Sequence, residues 1–107
     1  MPEIVKSRSY FLVLLSLNDG AKHGYEIASH IKDTSKGTFN LSFGSLYPVL
    51  HKLEKDGLVK AEWEEIGEAK AKKVYSLSKA GHRALVEETK QFHVLVSAFS
   101  GMIGQLT

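Results

Sequence analysis

The stretch from Ser42 to Gly57 carries its own start and stop signals, and it constrains the fold more than any other part of the chain. Ser42 is a favourable N-cap, because its hydroxyl can accept a backbone N–H from the first helical turn. Leu46, Val49, Leu50 and Leu53 then recur at i, i+3, i+4 and i+7, the stripe of a helix that buries one face. Gly57 follows Lys55 and Asp56, where a helix end commonly takes a left-handed residue. Pro48 falls near the helix start with Gly44 four residues before it, so its ring and missing N–H disturb little. The pattern then changes period. From Leu58 to Trp63 it alternates, with Val59, Ala61 and Trp63 on one face and Lys60 and Glu62 on the other.

The flanking segments supply partners for that helix. Arg8 to Leu17 is apolar nearly all round, as expected of a buried helix, and it stops at the turn signal Asn18-Asp19-Gly20. A second helix is predicted from Gly24 to Asp33, with Ile27, Ala28 and Ile31 on one side, ending at Thr34-Ser35-Lys36-Gly37. Phe39-Asn40-Leu41 reads as a short strand, and Val74 to Leu77 as the return strand of a hairpin. Polar Glu64 to Lys73, containing Gly67, forms the hairpin tip. Ser78 caps a last helix that continues to about Gly101.

Helix, helix, helix, hairpin, helix predicts a mainly α chain with a small β-hairpin. The expected architecture is a winged helix-turn-helix plus a C-terminal dimerisation helix. Residues 1–77 would form the winged-helix region and 78–107 the dimerisation helix, in one compact domain overall. A chain of 107 residues buries only a modest core, and pairing is a common remedy.

In a winged helix the third helix enters the major groove, which is wide enough for one helix. Opposite the leucine stripe lie Phe43, Ser45, Tyr47, Pro48, His51, Lys52 and Lys55. Gly44 and Ser45 are small enough for close approach to bases, while Tyr47, His51 and Lys52 can donate to phosphates. The plain alternative is a solvated helix face. Charge argues only weakly for nucleic acid, since 14 basic against 12 acidic residues leave a formal net charge of +2.

The last helix repeats in sevens: Leu85, Phe92 and Phe99 form one series, and Thr89, Val96 and Ile103 another. Leu95, Ala98 and Met102 widen this seam. So broad an apolar face predicts that one part packs on the first helix and the rest on a partner chain, against the alternative of an ordinary core helix.

Other function classes find little support. There is no cysteine, which excludes disulfides, thiolate metal sites and a cysteine nucleophile. His23, His30, His51, His82 and His93 show no metal-ligand spacing, and Glu64/Glu65 and Glu87/Glu88 have no partner base. No glycine-rich phosphate loop is present, so neither catalysis nor a cofactor or metal is expected. Met1 to Lys6 lacks the layout of a signal peptide, and the longest apolar run, Tyr10 to Leu15, is too short to cross a bilayer. A cytoplasmic protein with no membrane partner is the expectation.

An ordered set of short motifs resembles the PadR family of bacterial transcriptional regulators, in a short form similar to its multidrug-sensing members. The set is His23-Gly24-Tyr25-Glu26-Ile27, Gly44-Ser45-Leu46-Tyr47-Pro48-Val49-Leu50, Leu53-Glu54-Lys55-Asp56-Gly57-Leu58-Val59, and Lys73-Val74-Tyr75-Ser76-Leu77-Ser78 closing on Gly81-His82. The resemblance implies a homodimeric repressor on an inverted-repeat DNA operator, released in some members by a small aromatic compound. It also implies that Phe92, with Val96 beside it, lines a slot between subunits where a planar aromatic molecule could stack. Phe92 as a mere filler of the dimer interface stays open.

The wing departs from the family pattern, which usually carries Gly, Arg and Pro near the tip. Here Glu62, Glu64, Glu65 and Glu68 would be repelled by phosphates, leaving Lys70, Lys72 and Lys73 to approach the backbone. The expected DNA-contacting set is therefore Phe43, Gly44, Ser45, Tyr47, Pro48, His51, Lys52, Lys70, Lys72 and Lys73. The expected dimer seam is Leu85, Thr89, Phe92, Val96, Phe99 and Ile103. Two other readings stand beside this one: a winged-helix protein-interaction module without DNA binding, and a repressor with no effector.

Overall fold

The computed structural model describes residues 2–65 and 71–106, with side chains from Arg8 onward. Among these residues the order is α1 (Pro2–Ser16), β1 (Lys22–His23), α2 (Gly24–Thr34), α3 (Phe43–Lys55), β2 (Val59–Glu64), β3 (Lys72–Leu77) and α4 (Lys79–Gly104). This is the winged helix-turn-helix expected, with a long helix appended. No described helix is long and apolar enough to cross a membrane.

The local signals at the helix ends work as read. Ser42 Oγ accepts the backbone N–H of Ser45 at 3.1 Å, satisfying a donor that the first turn of α3 leaves unpaired. At the other end Gly57 takes a left-handed φ of 77°. The Leu58 N–H then reaches the Leu53 carbonyl at 2.9 Å and the Gly57 N–H reaches Glu54 at 3.0 Å, the paired bonds of a Schellman motif. Ser78 caps α4 by accepting the Gly81 N–H at 3.0 Å, and its hydroxyl also donates to the Gly57 carbonyl at 2.7 Å. One serine thus ties the start of α4 to the end of α3. Gly81 completes that junction, since a Cβ there would overlap the Leu58 carbonyl oxygen.

The core lies where α1, α2 and α3 meet the sheet. Val13, Ile27, Leu46 and Leu50 are fully buried at its centre, with Tyr75 of β3 and Leu85 of α4 closing the edge. The sheet is antiparallel in the order β1-β3-β2. Within the hairpin Val59 pairs with Leu77, Ala61 with Tyr75 and Trp63 with Lys73.

Three expectations need correction. First, Phe39-Asn40-Leu41 is not a strand. The Phe39 N–H bonds instead to Ser35 Oγ at 3.0 Å, and the Phe39 and Leu41 side chains fill against the core from an irregular loop. Second, the strand that does exist outside the hairpin is β1, where Lys22 pairs with Tyr75 and His23 with Val74. Two residues show no alternation of their own, so this strand exists only because β3 offers an open edge. Third, α1 starts at Pro2 rather than near Arg8. A proline at the first helical position loses no hydrogen bond there. Smaller differences are that α2 ends at Thr34 and α4 extends to Gly104.

Candidate nucleic-acid interface

The helix-turn-helix corner is set by a glycine and a ring. Gly24, the first residue of α2, is buried, and a Cβ there would overlap the Phe43 ring. Phe43 therefore serves partly as packing between α2 and α3, and only part of it faces outward. From it a row of rings runs over the surface. Tyr25 lies 5.0 Å from Phe43, Phe43 stands edge-on to Tyr47 at 6.1 Å, and Tyr47 stacks on His51 at 6.4 Å. Tyr25 is 72% exposed and belongs to this surface, although the sequence reading passed over it. The available signal was its position at a helix start, off the Ile27/Ile31 stripe.

The other predicted contacts divide by what holds them. Gly44, Ser45, Tyr47, Pro48, His51 and Lys52 all lie exposed on α3. Ser45 Oγ shares a hydrogen bond with Ser42 Oγ at 3.0 Å, and Lys52 pairs with Asp56 at 3.1 Å across one turn. Both bonds are exposed and easily exchanged for a phosphate oxygen. Lys55, on the same side, has no ion pair among the described residues.

Lys73 makes contacts of its own within the chain. Its ammonium bonds Glu54 on α3 at 3.2 Å and lies 6.0 Å from the Trp63 ring centre and 5.7 Å from that of Tyr75. The hydrogen bond to Glu54 holds the lysine pKa above its ordinary value. Burial pushes the neighbouring Tyr75 hydroxyl upward as well. Lys73 is thus a strut between wing and α3 rather than a free cation. Strand parity carried the signal, since Lys73 shares a face with buried Tyr75. Lys72 is exposed opposite Glu64. Lys70, with the tip residues Gly67 and Glu68, lies outside the described residues.

On α4 the predicted seam splits. Leu85 is only 5% exposed and belongs to the protomer's own core, so it leaves the seam. Thr89 is half-buried and spends its hydroxyl on the Leu85 carbonyl at 2.7 Å. Phe92 rests on Phe11 of α1 at 5.4 Å, yet remains 47% exposed. Beyond it every residue from Val94 to Leu106 is exposed, including Leu95, Val96, Phe99, Met102 and Ile103.

Comparison with known proteins agrees with this architecture. The model of the transcriptional regulator PadR-like family matches residues 13–87. The chain is 30% identical over 101 residues to transcriptional regulator Rv3488 of Mycobacterium tuberculosis, covering 94% of this chain and 91% of that protein. Among solved structures it is similar to a PadR family transcription regulator from Eggerthella lenta, at 28% identity and a TM-score of 0.75 over 95% of this chain and 89% of that one. It is also similar to Bacillus subtilis PadR in complex with operator DNA, at 26% identity and a TM-score of 0.69 over 75% of this chain and 44% of that one. The chain belongs to the PadR-like family of transcriptional regulators.

Proposed function

We propose that this regulator acts as a homodimeric repressor, with α3 of each protomer in the major groove of an inverted-repeat operator. The reading rests on one observation above others: the chain leaves two faces uncovered, the outer side of α3 and the apolar length of α4 beyond Phe92. A free apolar face of that length on so small a domain calls for a partner, and a second copy closes it with two-fold symmetry. Two-fold symmetry in the protein matches an inverted repeat in DNA, with half-sites roughly 34–36 Å apart or a multiple of that. The Ser78–Gly57 hydrogen bond and the close Gly81–Leu58 contact join α4 to α3, so the dimer would transmit its geometry directly to the recognition helices.

Within this reading Gly44, Ser45 and Pro48 face base edges, while Tyr25, Tyr47, His51, Lys52 and Lys72 reach phosphates. Phe43 and Lys73 hold the frame. A mobility shift with the protein's own upstream region tests the proposal, together with sedimentation. A salt-sensitive shift by a dimer supports it. No shift at low salt, with Tyr47→Ala and Lys52→Ala changing nothing, would favour the protein-interaction module instead.

A planar aromatic effector fits the same dimer. The exposed part of Phe92, backed by Phe11, and Val96 one turn on would face their counterparts across the seam and offer flat apolar walls. Titration with a planar aromatic dye should release operator DNA and lose that effect in Phe92→Ala. Release of no DNA by any such compound would make the protein a repressor without an effector.

A further inference from the structure

The outward line of α3 is poor in the groups that read bases by hydrogen bonding. Opposite the Leu46/Leu50/Leu53 stripe, the helical repeat brings Gly44, Pro48, His51 and Lys55 into one row, and all four are exposed. Bidentate reading of adenine needs asparagine or glutamine, and bidentate reading of guanine uses arginine or lysine. Asparagine, glutamine and arginine are absent from Phe43–Lys55, which leaves Lys52 and Lys55 as its only residues of these types. Lys52 and Ser45 stand to the side of the row, in exposed bonds to Asp56 and Ser42. Lys55 stands at its far end, in the last turn.

At the near end Gly44 has no side chain, and only Ser42 Oγ, at 3.8 Å, lies near the place a Cβ would take. Pro48 is therefore the first side chain met along the row. The side-chain atoms of its ring are all carbon and the ring nitrogen carries no hydrogen, so the ring can neither donate to nor accept from a base edge. Tyr47, beside it in sequence, stacks on His51 of the next turn. The major groove offers one apolar feature that such a surface can tell from its surroundings, the C5-methyl group of thymine.

We infer that Pro48 is a specificity-determining residue that reads thymine by burying its C5-methyl group against the pyrrolidine ring. This inference rests on the DNA-binding reading above. It assigns operator recognition by α3 to methyl contacts rather than to bidentate hydrogen bonds.

The test begins with the full-length chain and a randomised duplex library, from which bound DNA is selected and resynthesised. Each thymidine of the selected duplex is then replaced in turn by deoxyuridine, which keeps base pairing and removes only the methyl group. Affinity is read by fluorescence anisotropy at one fixed salt concentration. Binding should weaken about fourfold for each contacted methyl removed, the factor that burial of one methylene-sized group supplies. In Pro48→Ala, which restores a helical N–H and should fold at least as well, thymidine and deoxyuridine should bind alike at those positions. If no deoxyuridine weakens binding, or if Pro48→Ala stays equally sensitive to it, the inference is overturned while the DNA-binding reading stands. If selection enriches no duplex at all, that reading fails and takes the inference with it.

Discussion

Gly44→Ala separates what α3 needs in order to fold from what it needs in order to bind. Glycine within a helix is destabilising by roughly 0.5–1 kcal/mol relative to alanine, because the unfolded chain has more freedom to lose. At Gly44 nothing opposes that gain, since an added Cβ meets only Ser42 Oγ at 3.8 Å, an ordinary van der Waals contact. The variant should therefore melt higher. For a domain of this size the rise corresponds to roughly 2–6 °C, compared at equal protomer concentration because a dimer's melting depends on it. The same methyl would stand between the helix start and the bases, and operator affinity should fall by at least about tenfold, or 1.4 kcal/mol. Circular dichroism melts and anisotropy titrations on one preparation measure both quantities. A protein that melts lower would show that Gly44 serves the fold. One that melts higher and binds as tightly as wild type would show that nothing approaches the helix start closely. Either result refutes the reasoning.

Gly81→Ala should behave in the opposite way, losing stability by about 1–3 kcal/mol, because the overlapping atom is the Leu58 backbone carbonyl and cannot swing aside; an unchanged urea midpoint would count against the junction described above. Phe99→Asp and Ile103→Asp replace exposed apolar residues of α4, so each should leave the helical circular dichroism signal intact and shift sedimentation from dimer to monomer. Lys73→Met should leave the slope of log affinity against log salt unchanged and resemble Glu54→Gln, whereas loss of a phosphate contact would lower that slope by about one. Glu26 accepts the His23 backbone N–H at 2.8 Å, and this hydrogen bond holds its carboxyl below the ordinary glutamate value of 4.5. A depressed carboxylate contributes stability that is present above the unfolded-state pKa and lost as pH falls through the folded-state one. Urea midpoints should therefore fall more steeply below pH 4.5 in the wild type than in Glu26→Gln, and parallel curves would contradict this.

Features decided by a few neighbouring residues were legible from the chain alone. Ser42 and Ser78 cap their helices, and Gly57 ends α3, because these signals act within one helical turn. The leucine stripe of α3 worked for the same reason: helical periodicity is a property of the segment itself. The strands were harder to read, because a strand needs an edge that is distant in sequence. Phe39-Asn40-Leu41 has the composition of a strand but no edge to pair with, while Lys22-His23 has no strand pattern yet lies along the free edge of β3. The charge of Lys73 is visible in the chain, but its pairing with Glu54 across the hairpin–helix boundary is not. A heptad pattern cannot distinguish burial inside one's own domain from an uncovered face, and Leu85 and Phe99 share one series although Leu85 is buried and Phe99 exposed.

By itself, then, the sequence determined the order of the helices and the hairpin, the start of α3 at Ser42 with Gly44, Ser45, Tyr47 and Pro48 outward, and the presence of an apolar face along α4. Those follow from caps, turns and periods that each segment carries within itself. Only the tertiary structure decided that Leu85 belongs inside while Val96 to Ile103 remain uncovered, that Lys73 braces the wing against α3, and that Tyr25 joins the surface. The physical reason is that these outcomes depend on which side chains meet across the fold. Such meetings are settled by packing, where Gly24 admits the Phe43 ring and Gly81 admits the Leu58 carbonyl.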